Sequence, residues 1–387
     1  MFDAVIVGGG PAGCNAAITL ARLNHRVLLL EAGIYPRPKV CGEFLSPESI
    51  VFFTESGFLG ELRKLKPVPI QTLRITEPAG HQWSSKLPAP ALGLSRFALD
   101  KAMADYARAV GVEVQDGTQV KQIEGNLRAG FSITTQTRMR SQVFRTATVI
   151  AAHGRHSNLD RTLRPVGSRL SSKHYLGLKQ HFMGPKFWGH IDLHVFHGGY
   201  CGMSQVEDGT TNVCLLVDQK VFQAVTSTGH NPIAGFINWM SGQNPHLKKW
   251  LAQSSPVYPE WLSTAQISLE TKLPVESDIL FAGDAAGMIA PLAGDGMAMA
   301  LQSGKLAALS LNRYLTRVQD ASAMKRDYIY LWRRTFAGRL KLGRLLQSLM
   351  LRPKLLAPAL CLINRFPFAG NWLVQHTRDR QLIEQNL

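Results

Sequence analysis

The first thirty-one residues constrain the fold of this chain more than any other stretch. Phe2-Asp3-Ala4-Val5-Ile6-Val7 is an apolar run that enters Gly8-Gly9-Gly10-Pro11-Ala12-Gly13. An apolar helical pattern then leads to Val27-Leu28-Leu29-Leu30-Glu31. The order reads as strand, glycine turn, helix, strand. Gly8 permits the tight turn, Gly10 lets backbone approach a pyrophosphate, and Gly13 lets helix and strand pack closely. Pro11 and Ala12 open the helix whose positive end receives the phosphates. Glu31 lies eighteen positions after Gly13. There, with Ala32 beside it, a carboxylate accepts both hydroxyl protons of an adenosine ribose and favours a free 2′-OH over a 2′-phosphate. The turn follows a strand, opens a helix and has its acid at the expected distance, so the stretch reads as a dinucleotide anchor.

The remaining length allows more than this unit. A chain of 387 residues with 45% hydrophobic content is long enough for two or three domain-sized units with a large core. Its mean hydropathy is near zero. Cys14, Cys41, Cys201, Cys214 and Cys361 are odd in number and form no CxxC pair, which predicts a reducing compartment and neither a disulfide framework nor a zinc cluster. The first strand begins at once, leaving no room for a signal peptide, so a cytoplasmic chain is expected. No run of about 18 uncharged apolar residues predicts a span. The net charge is +16, and residues 310 to 387 carry fourteen Lys and Arg against four Asp and Glu, a surplus of ten. That asymmetry points to an anionic surface, here the inner membrane face rather than nucleic acid, with a merely solvated basic helical face as the alternative.

Along the chain, Arg37-Pro38-Lys39-Val40-Cys41-Gly42-Glu43 is a proline-punctuated loop leaving the end of the second strand, where ligands of doubly wound sheets bind. Arg37 can offset phosphate or flavin charge, and Cys41 and Gly42 can approach a reactive ring. Residues 46–66 read as a helix, 68–76 and 82–87 as strands, and 94–109 as a helix capped by Ser95. Strands are expected at 112–114, 131–137 and 145–152. From about 165 to 270 the period changes to two, which predicts a mostly antiparallel sheet. Its histidines His181, His190, His194 and His197 show no carboxylate or cysteine partner in the sequence and read as packed or surface residues, not as a metal site. Asp278 to Gly287 returns to a strand ending in Gly283-Asp284. Gly294-Asp295-Gly296 then starts a long helix to about Leu315, a second positive helix end suited to an electron-rich ring. Beyond 320 the pattern is helical, with Gly338 and Gly343 as weak points and Pro353, Pro358 and Pro367 as breaks.

Together these segments resemble the flavoprotein superfamily of para-hydroxybenzoate hydroxylase, the flavin-dependent halogenases and the geranylgeranyl reductases, the last branch most of all. The residues that carry the resemblance are Gly8 to Gly13 with Glu31, the loop at Arg37 to Gly42, Ser95-Arg96-Phe97-Ala98-Leu99-Asp100, Gly283-Asp284-Ala285-Ala286-Gly287 and Gly294-Asp295-Gly296. The resemblance implies an α/β fold: a Rossmann-type (GR2-like) FAD-binding domain, a mostly antiparallel β-sheet substrate domain and a helical C-terminal tail. The corresponding residues are 1–75, 95–160 and 271–315 for the first, 76–94 and 161–270 for the second, and 316–387 for the basic tail. It implies FAD, with Glu31 on the adenosine ribose, Val120 and Arg96 along the cofactor, Asp284 on the ribityl chain and the Gly294 to Gly296 backbone at the ring. NAD(P)H or another reductant would supply electrons.

Family members often have Ala-Asp-Gly where this chain has Ala152-His153-Gly154. They carry Trp-containing runs where this chain has Tyr200-Cys201-Gly202-Met203-Ser204-Gln205, and halogenation is set aside on that ground. The expected activity is monooxygenation of an apolar or aromatic small molecule, with C=C reduction or dehydrogenation as the alternative and a non-catalytic flavin-binding role as a third. Glu43 and Asp295 are the candidate acid/base groups.

Overall fold

The computed structural model describes residues 1–155, 158–164, 174–227, 231–270, 272–288, 290–352 and 358. The chain opens with β1 (Phe2–Val7), α1 (Pro11–Arg22) and β2 (Val27–Leu30). It continues with β3 (Phe44–Leu45), α2 (Pro47–Glu55), α3 (Leu59–Lys64), β4 (Val68–Thr76), β5 (Gln82–Gly93) and α4 (Arg96–Ala109). Then come β6 (Glu113–Gln115), β7 (Gln119–Asn126), β8 (Gly130–Gln136), β9 (Ser141–Ala151) and α5 (Leu159–Leu163). After these lie β10 (Tyr175–Met183), β11 (Gly189–Phe196), β12 (Gly199–Gln205), β13 (Thr211–Asp218), α6 (Gln219–Thr226), α7 (Pro232–Gln243) and α8 (Pro245–Leu251). The described part closes with β14 (Ser255–Pro256), β15 (Leu262–Ile267), β16 (Val275–Glu276), β17 (Ile279–Phe281), α9 (Gly296–Leu315) and α10 (Ala321–Met350).

Among the described residues the strands form two sheets. The first runs β16-β17-β9-β1-β2-β6, with β8 and β7 attached to β9. Its inner strands are parallel: Val5 faces Leu28 on one side and Val149 on the other. β1 and β2 are buried at nearly every position, which is why they are apolar throughout rather than alternating. Ser95 caps α4 as its spacing predicts, its hydroxyl accepting from Ala98 N at 3.1 Å. Tight helix contact holds α1 against α9: Asn15 Nδ2 donates to the Leu301 carbonyl at 2.7 Å, and Gly304 lies so close to the Ala12 carbonyl that a side chain there has no space.

The second sheet runs β14-β10-β13-β12-β11-β4-β5-β3, with β15 on β10. It is antiparallel except where β11 lies parallel to β4. One face carries Leu178, Phe182, Phe196, Met203, Val213 and Leu215 against Phe236, Met240 and Leu247 of α7 and α8. The other face looks back toward the first domain.

Several boundaries differ from the sequence reading. The helix expected over 46–66 breaks at Ser56-Gly57, where Gly57 takes φ +77°. β3 and β4 pair into the second sheet, so the boundary drawn at residue 75 falls inside that sheet's strands. Residues 219–251 form three helices, α6 to α8, inside the stretch read as sheet. Asn231 and Asn244 cap the second and third ahead of Pro232 and Pro245 at the first helical positions. α10 runs unbroken through Gly338 and Gly343, because its apolar positions keep helical spacing against the first domain. Residues 353–357 and 359–387, with Pro353, Pro367 and Cys361, lie outside the described residues.

The histidines of the second sheet do have a carboxylate. Asp192 is buried between Arg74, which grips it with two nitrogens, and His190 and His194 at 3.7 and 3.6 Å. His194 Nδ1 sits 2.8 Å from the Thr76 hydroxyl, which also meets Asn244. Among the described residues no group of three or more metal-binding side chains converges.

Gly304→Val is expected to force α1 from α9 and cost about 2–3 kcal/mol, read as a lower denaturant midpoint at unchanged slope. Burial first, then the charges of Arg74, His246 and His190, lowers the His194 pKa from 6.5 to about 3. The unfolded chain therefore binds the extra proton in that window, and stability falls as pH drops from 6.5 toward 3. The expected slope is about 1 kcal/mol per pH unit. His194→Gln should flatten it in chemical melts across that range.

Candidate active site

The glycine turn does what its sequence requires. Gly8 has φ +107°, and a Cβ there would strike the Ala152 carbonyl of the neighbouring strand. Gly10 ends in open space except for Arg96 Nη2, 3.7 Å from where its Cβ would stand. No side chain caps α1, so the N–H groups of its first turn stay available to an anion. Glu31 Oε2 accepts from Gly9 N at 2.8 Å and from Arg37 Nη2 at 2.9 Å; Oε1 accepts from Gly33 N at 2.8 Å. One lone-pair position of Oε1 therefore remains for a ribose hydroxyl. Ala32 beside it is exposed. Val120 packs in the core of the first domain, two residues beyond Thr118, whose N–H donates to the Glu31 carbonyl at 2.8 Å.

Arg37 and Arg96 are held by acids as well as facing the turn. Arg37 reaches Asp100 at 3.2 Å while holding Glu31, and Arg96 makes a two-pronged contact with Asp100 at 2.7 and 2.8 Å. This buried Arg-Asp-Arg arrangement leaves the phosphate turn beneath a fixed guanidinium. Tyr35, which the sequence did not single out, lies over Gly9 and donates its hydroxyl to the Gly9 carbonyl. Its only sequence signal was an aromatic ring in an otherwise proline-rich loop.

The loop from Arg37 to Glu43 bridges the two domains. Cys41 O accepts from Asn212 Nδ2 at 3.1 Å and Gly42 O from the Ser204 hydroxyl at 3.3 Å, while Gly42 itself faces open space. Glu43 is fully buried at φ +53°. Its carboxylate accepts from Arg96 N and His181 Nε2, each at 2.7 Å, and pairs with Lys179 Nζ. Burial alone would raise its pKa, but the His181 and Lys179 contacts win and hold it below the usual glutamate range.

At the other end, Gly283 has φ +62° and its N–H donates to the Ser303 hydroxyl at 3.0 Å. Gly294 is left-handed at φ +67°, and α9 starts at Gly296 without a side-chain cap. A narrow crevice lies between Gly283, Asp284, Gly287 and Gly296 on one side and Trp332 and Phe336 of α10 on the other. Asp284 has no hydrogen-bond partner among the described residues. Burial raises its pKa against the pull of Arg155, Arg96 and Lys272. Asp295 is buried and bound to Arg339 of α10 at 2.9 Å. Asp295 and Glu43, the two acid/base candidates, thus each have their carboxylate committed to an ion pair. His153, which replaces the acid expected in Ala-Asp-Gly, finds one in space: its Nε2 lies 3.2 Å from Asp160.

Between the second sheet and the first domain lies a second apolar cluster. Ile70, Trp83, Leu87, Leu193, Val195, Tyr200 and Leu216 of the sheet face Met288 of the glycine-rich segment and Met350 at the end of α10. Tyr200 is buried in it, and its hydroxyl has no hydrogen-bond partner among the described residues. Burial, with smaller contributions from Cys214 and Tyr175, raises its pKa well above the ordinary tyrosine value.

An uncapped helix start beside a carboxylate that keeps a free acceptor, and an orphan acid beside a second uncapped helix start, fit the phosphates, ribose and ribityl chain of a flavin dinucleotide. The fold and site thus define a flavin-dependent oxidoreductase. The match of the FAD binding domain model to residues 1–323 agrees, and the chain belongs to that family. Conditioned medium factor receptor 1 of Dictyostelium discoideum is 24% identical over 94% of this chain and 74% of its own length. Menaquinone reductase of Mycolicibacterium smegmatis is 23% identical over 79% of this chain and 75% of its own. The FAD-dependent monooxygenase OpS4 of Beauveria bassiana is 30% identical, over 42% of this chain and 39% of its own. Among solved structures, the flavin-dependent brominase Bmp2 superposes with a TM-score of 0.79 at 16% identity, covering 97% of this chain and 92% of that one, which shows the shared fold.

Asp284→Ala is expected to weaken FAD binding at least tenfold through loss of a charge-assisted hydrogen bond, roughly 1.5–3 kcal/mol. Flavin fluorescence titration of the apoprotein measures it, and wild-type affinity in the variant would remove the ribityl contact.

Proposed function

We propose that this protein is an FAD-dependent reductase acting on a polarised carbon–carbon double bond of an apolar molecule that carries one oxygen acceptor. The observation that carries this reading is the Tyr200 hydroxyl, unpartnered among the described residues, inside the apolar cluster, which would open as the wall of the substrate chamber. A buried hydroxyl without a partner costs about 1–3 kcal/mol, so a carbonyl oxygen bound beside it would relieve that cost. Because its pKa is raised, Tyr200 keeps its proton and acts as a neutral donor. A donor on a conjugated carbonyl draws electron density from the adjoining double bond and readies it for a hydride. FAD, when bound, supplies that hydride chemistry. The chain's own residues do the rest: apolar side chains of the second sheet exclude water, Tyr200 orients the oxygen, and Glu43 fixes the loop that separates chamber from cofactor.

The extents of the similarities support the same choice. The menaquinone reductase matches over 79% of the chain, against 42% for the monooxygenase. Menaquinone-like polyprenyl molecules are therefore the first substrates to try. Monooxygenation, the first expectation from sequence, remains the second reading, favoured by the higher 30% identity to OpS4. A water-excluding apolar chamber also suits epoxidation of an alkene, which needs no base. NAD(P)H or another reductant would provide the electrons for either.

Two measurements decide. Mixed without oxygen, the reduced protein should be reoxidised by a polyprenyl quinone or enone, and the product of an enone should gain two hydrogens by mass. Turnover that requires O₂ and adds one oxygen selects the second reading. Tyr200→Phe is expected to lower kcat/KM at least tenfold while leaving FAD content and melting temperature unchanged or slightly raised, since the orphan hydroxyl is gone.

A further inference from the structure

α10 has two faces with different duties. Met324, Tyr328, Trp332, Phe336, Leu340 and Met350 are buried against the protein. Two basic residues near that inner side are consumed by ion pairs, Lys325 with Asp278 at 2.5 Å and Arg339 with Asp295 at 2.9 Å. The opposite arc is exposed. Arg326, Tyr330, Arg333, Arg334, Lys341, Leu345 and Leu349 fall on it at helical spacings of three, four, seven or eight. Tyr330 and Leu345 are 61% and 66% exposed, although apolar or aromatic. A merely solvated helix face has no use for them.

We propose that this outer face of α10 docks the protein on an anionic lipid surface. The stripe has the composition of a helix lying in a bilayer interface: basic side chains that meet lipid phosphates, with a tyrosine and leucines that enter the headgroup boundary. Near a membrane of net negative charge each basic residue contributes about 1 kcal/mol, so four exposed ones hold a peripheral protein that salt releases. Nucleic acid would meet the same charges but leaves the leucines unused. Among the described residues no helix is long and apolar enough to cross a membrane, which fits attachment from one side. The docked helix carries Met350 into the chamber wall. The chamber would therefore sit next to the lipid phase that holds polyprenyl molecules, a consequence that rests on the functional reading above. Docking itself does not rest on it.

Sedimentation with vesicles tests the docking and stays informative whichever reaction the chamber runs. The FAD-loaded full chain should partition to phosphatidylcholine vesicles containing phosphatidylglycerol, not to phosphatidylcholine alone, and should release at high salt. The combined variant Arg333→Glu, Arg334→Glu, Lys341→Glu should lose roughly a hundredfold in partition coefficient. Its flavin absorbance should be unchanged, which shows that it is folded. Leu345→Ser with Leu349→Ser should weaken partition while leaving retention on a duplex oligonucleotide unaltered. Equal binding to neutral and anionic vesicles, unchanged binding of the charge-reversed variant, or tighter binding to the duplex than to anionic vesicles would each overturn the proposal.

Discussion

The structure depends most on one buried carboxylate. Glu43 holds the start of α4 through Arg96 N, and β10 through Lys179 and His181, while its own backbone ends the loop that leaves the second strand. Taking a carboxylate out of water costs several kcal/mol, and only its set of cationic and N–H partners offsets that. The three partners come from two domains, so the carboxylate is stable only when the domains are docked in this arrangement. Removing it would leave Lys179 as a buried cation with no acid, a larger penalty than the lost contact. The loop gains from this anchorage because Gly42, beside Glu43, faces open space with no packing of its own.

Around that latch two apolar cores serve different ends. The first, between the parallel sheet and its helices, makes a rigid base from which the glycine turns project. The second joins the antiparallel sheet to the glycine-rich segment at Met288 and to the end of α10. α10 takes part in both: Trp332 and Phe336 pack by the Gly283 segment, and Met350 packs in the second cluster. The Asp295–Arg339 pair fixes this helix to the start of α9, so the packing of Met350 and the second glycine-rich helix start are linked by one ion pair.

The first domain was legible because its constraints are local. A glycine at φ +107° and an acid eighteen positions past Gly13 leave a pattern that needs no knowledge of distant contacts. The same holds for Ser95 as a cap and for the parallel strands, whose unbroken apolar runs follow from burial on both faces. The roles of Glu43, Asp295 and Arg37 were not legible. Each was singled out as a charged residue for the cofactor site, yet its partner lies far along the chain: Lys179 for Glu43, Arg339 for Asp295, Asp100 for Arg37. Helices α6 to α8 went unseen for another reason. Their caps and prolines were present, but α6 and α8 span only eight and seven residues, too short for a helical period to stand out from the alternating strands before them. Tyr200 was read as one residue of an unfamiliar stretch, and only pairing the strands placed its hydroxyl among Leu216, Val195 and Trp83.

The contact of α1 with α9 acts as a ruler. Gly304 meets the Ala12 carbonyl at the very start of α1, and α9 begins eight residues earlier, at Gly296. At 1.5 Å per residue the two helix starts are offset by about 12 Å, a span set by backbone pressed on backbone rather than by adjustable side chains. A ligand must be long enough to reach from one start to the other to use both. A mononucleotide would satisfy one end and leave the other to water, so the spacing of the two starts suits a dinucleotide by length alone.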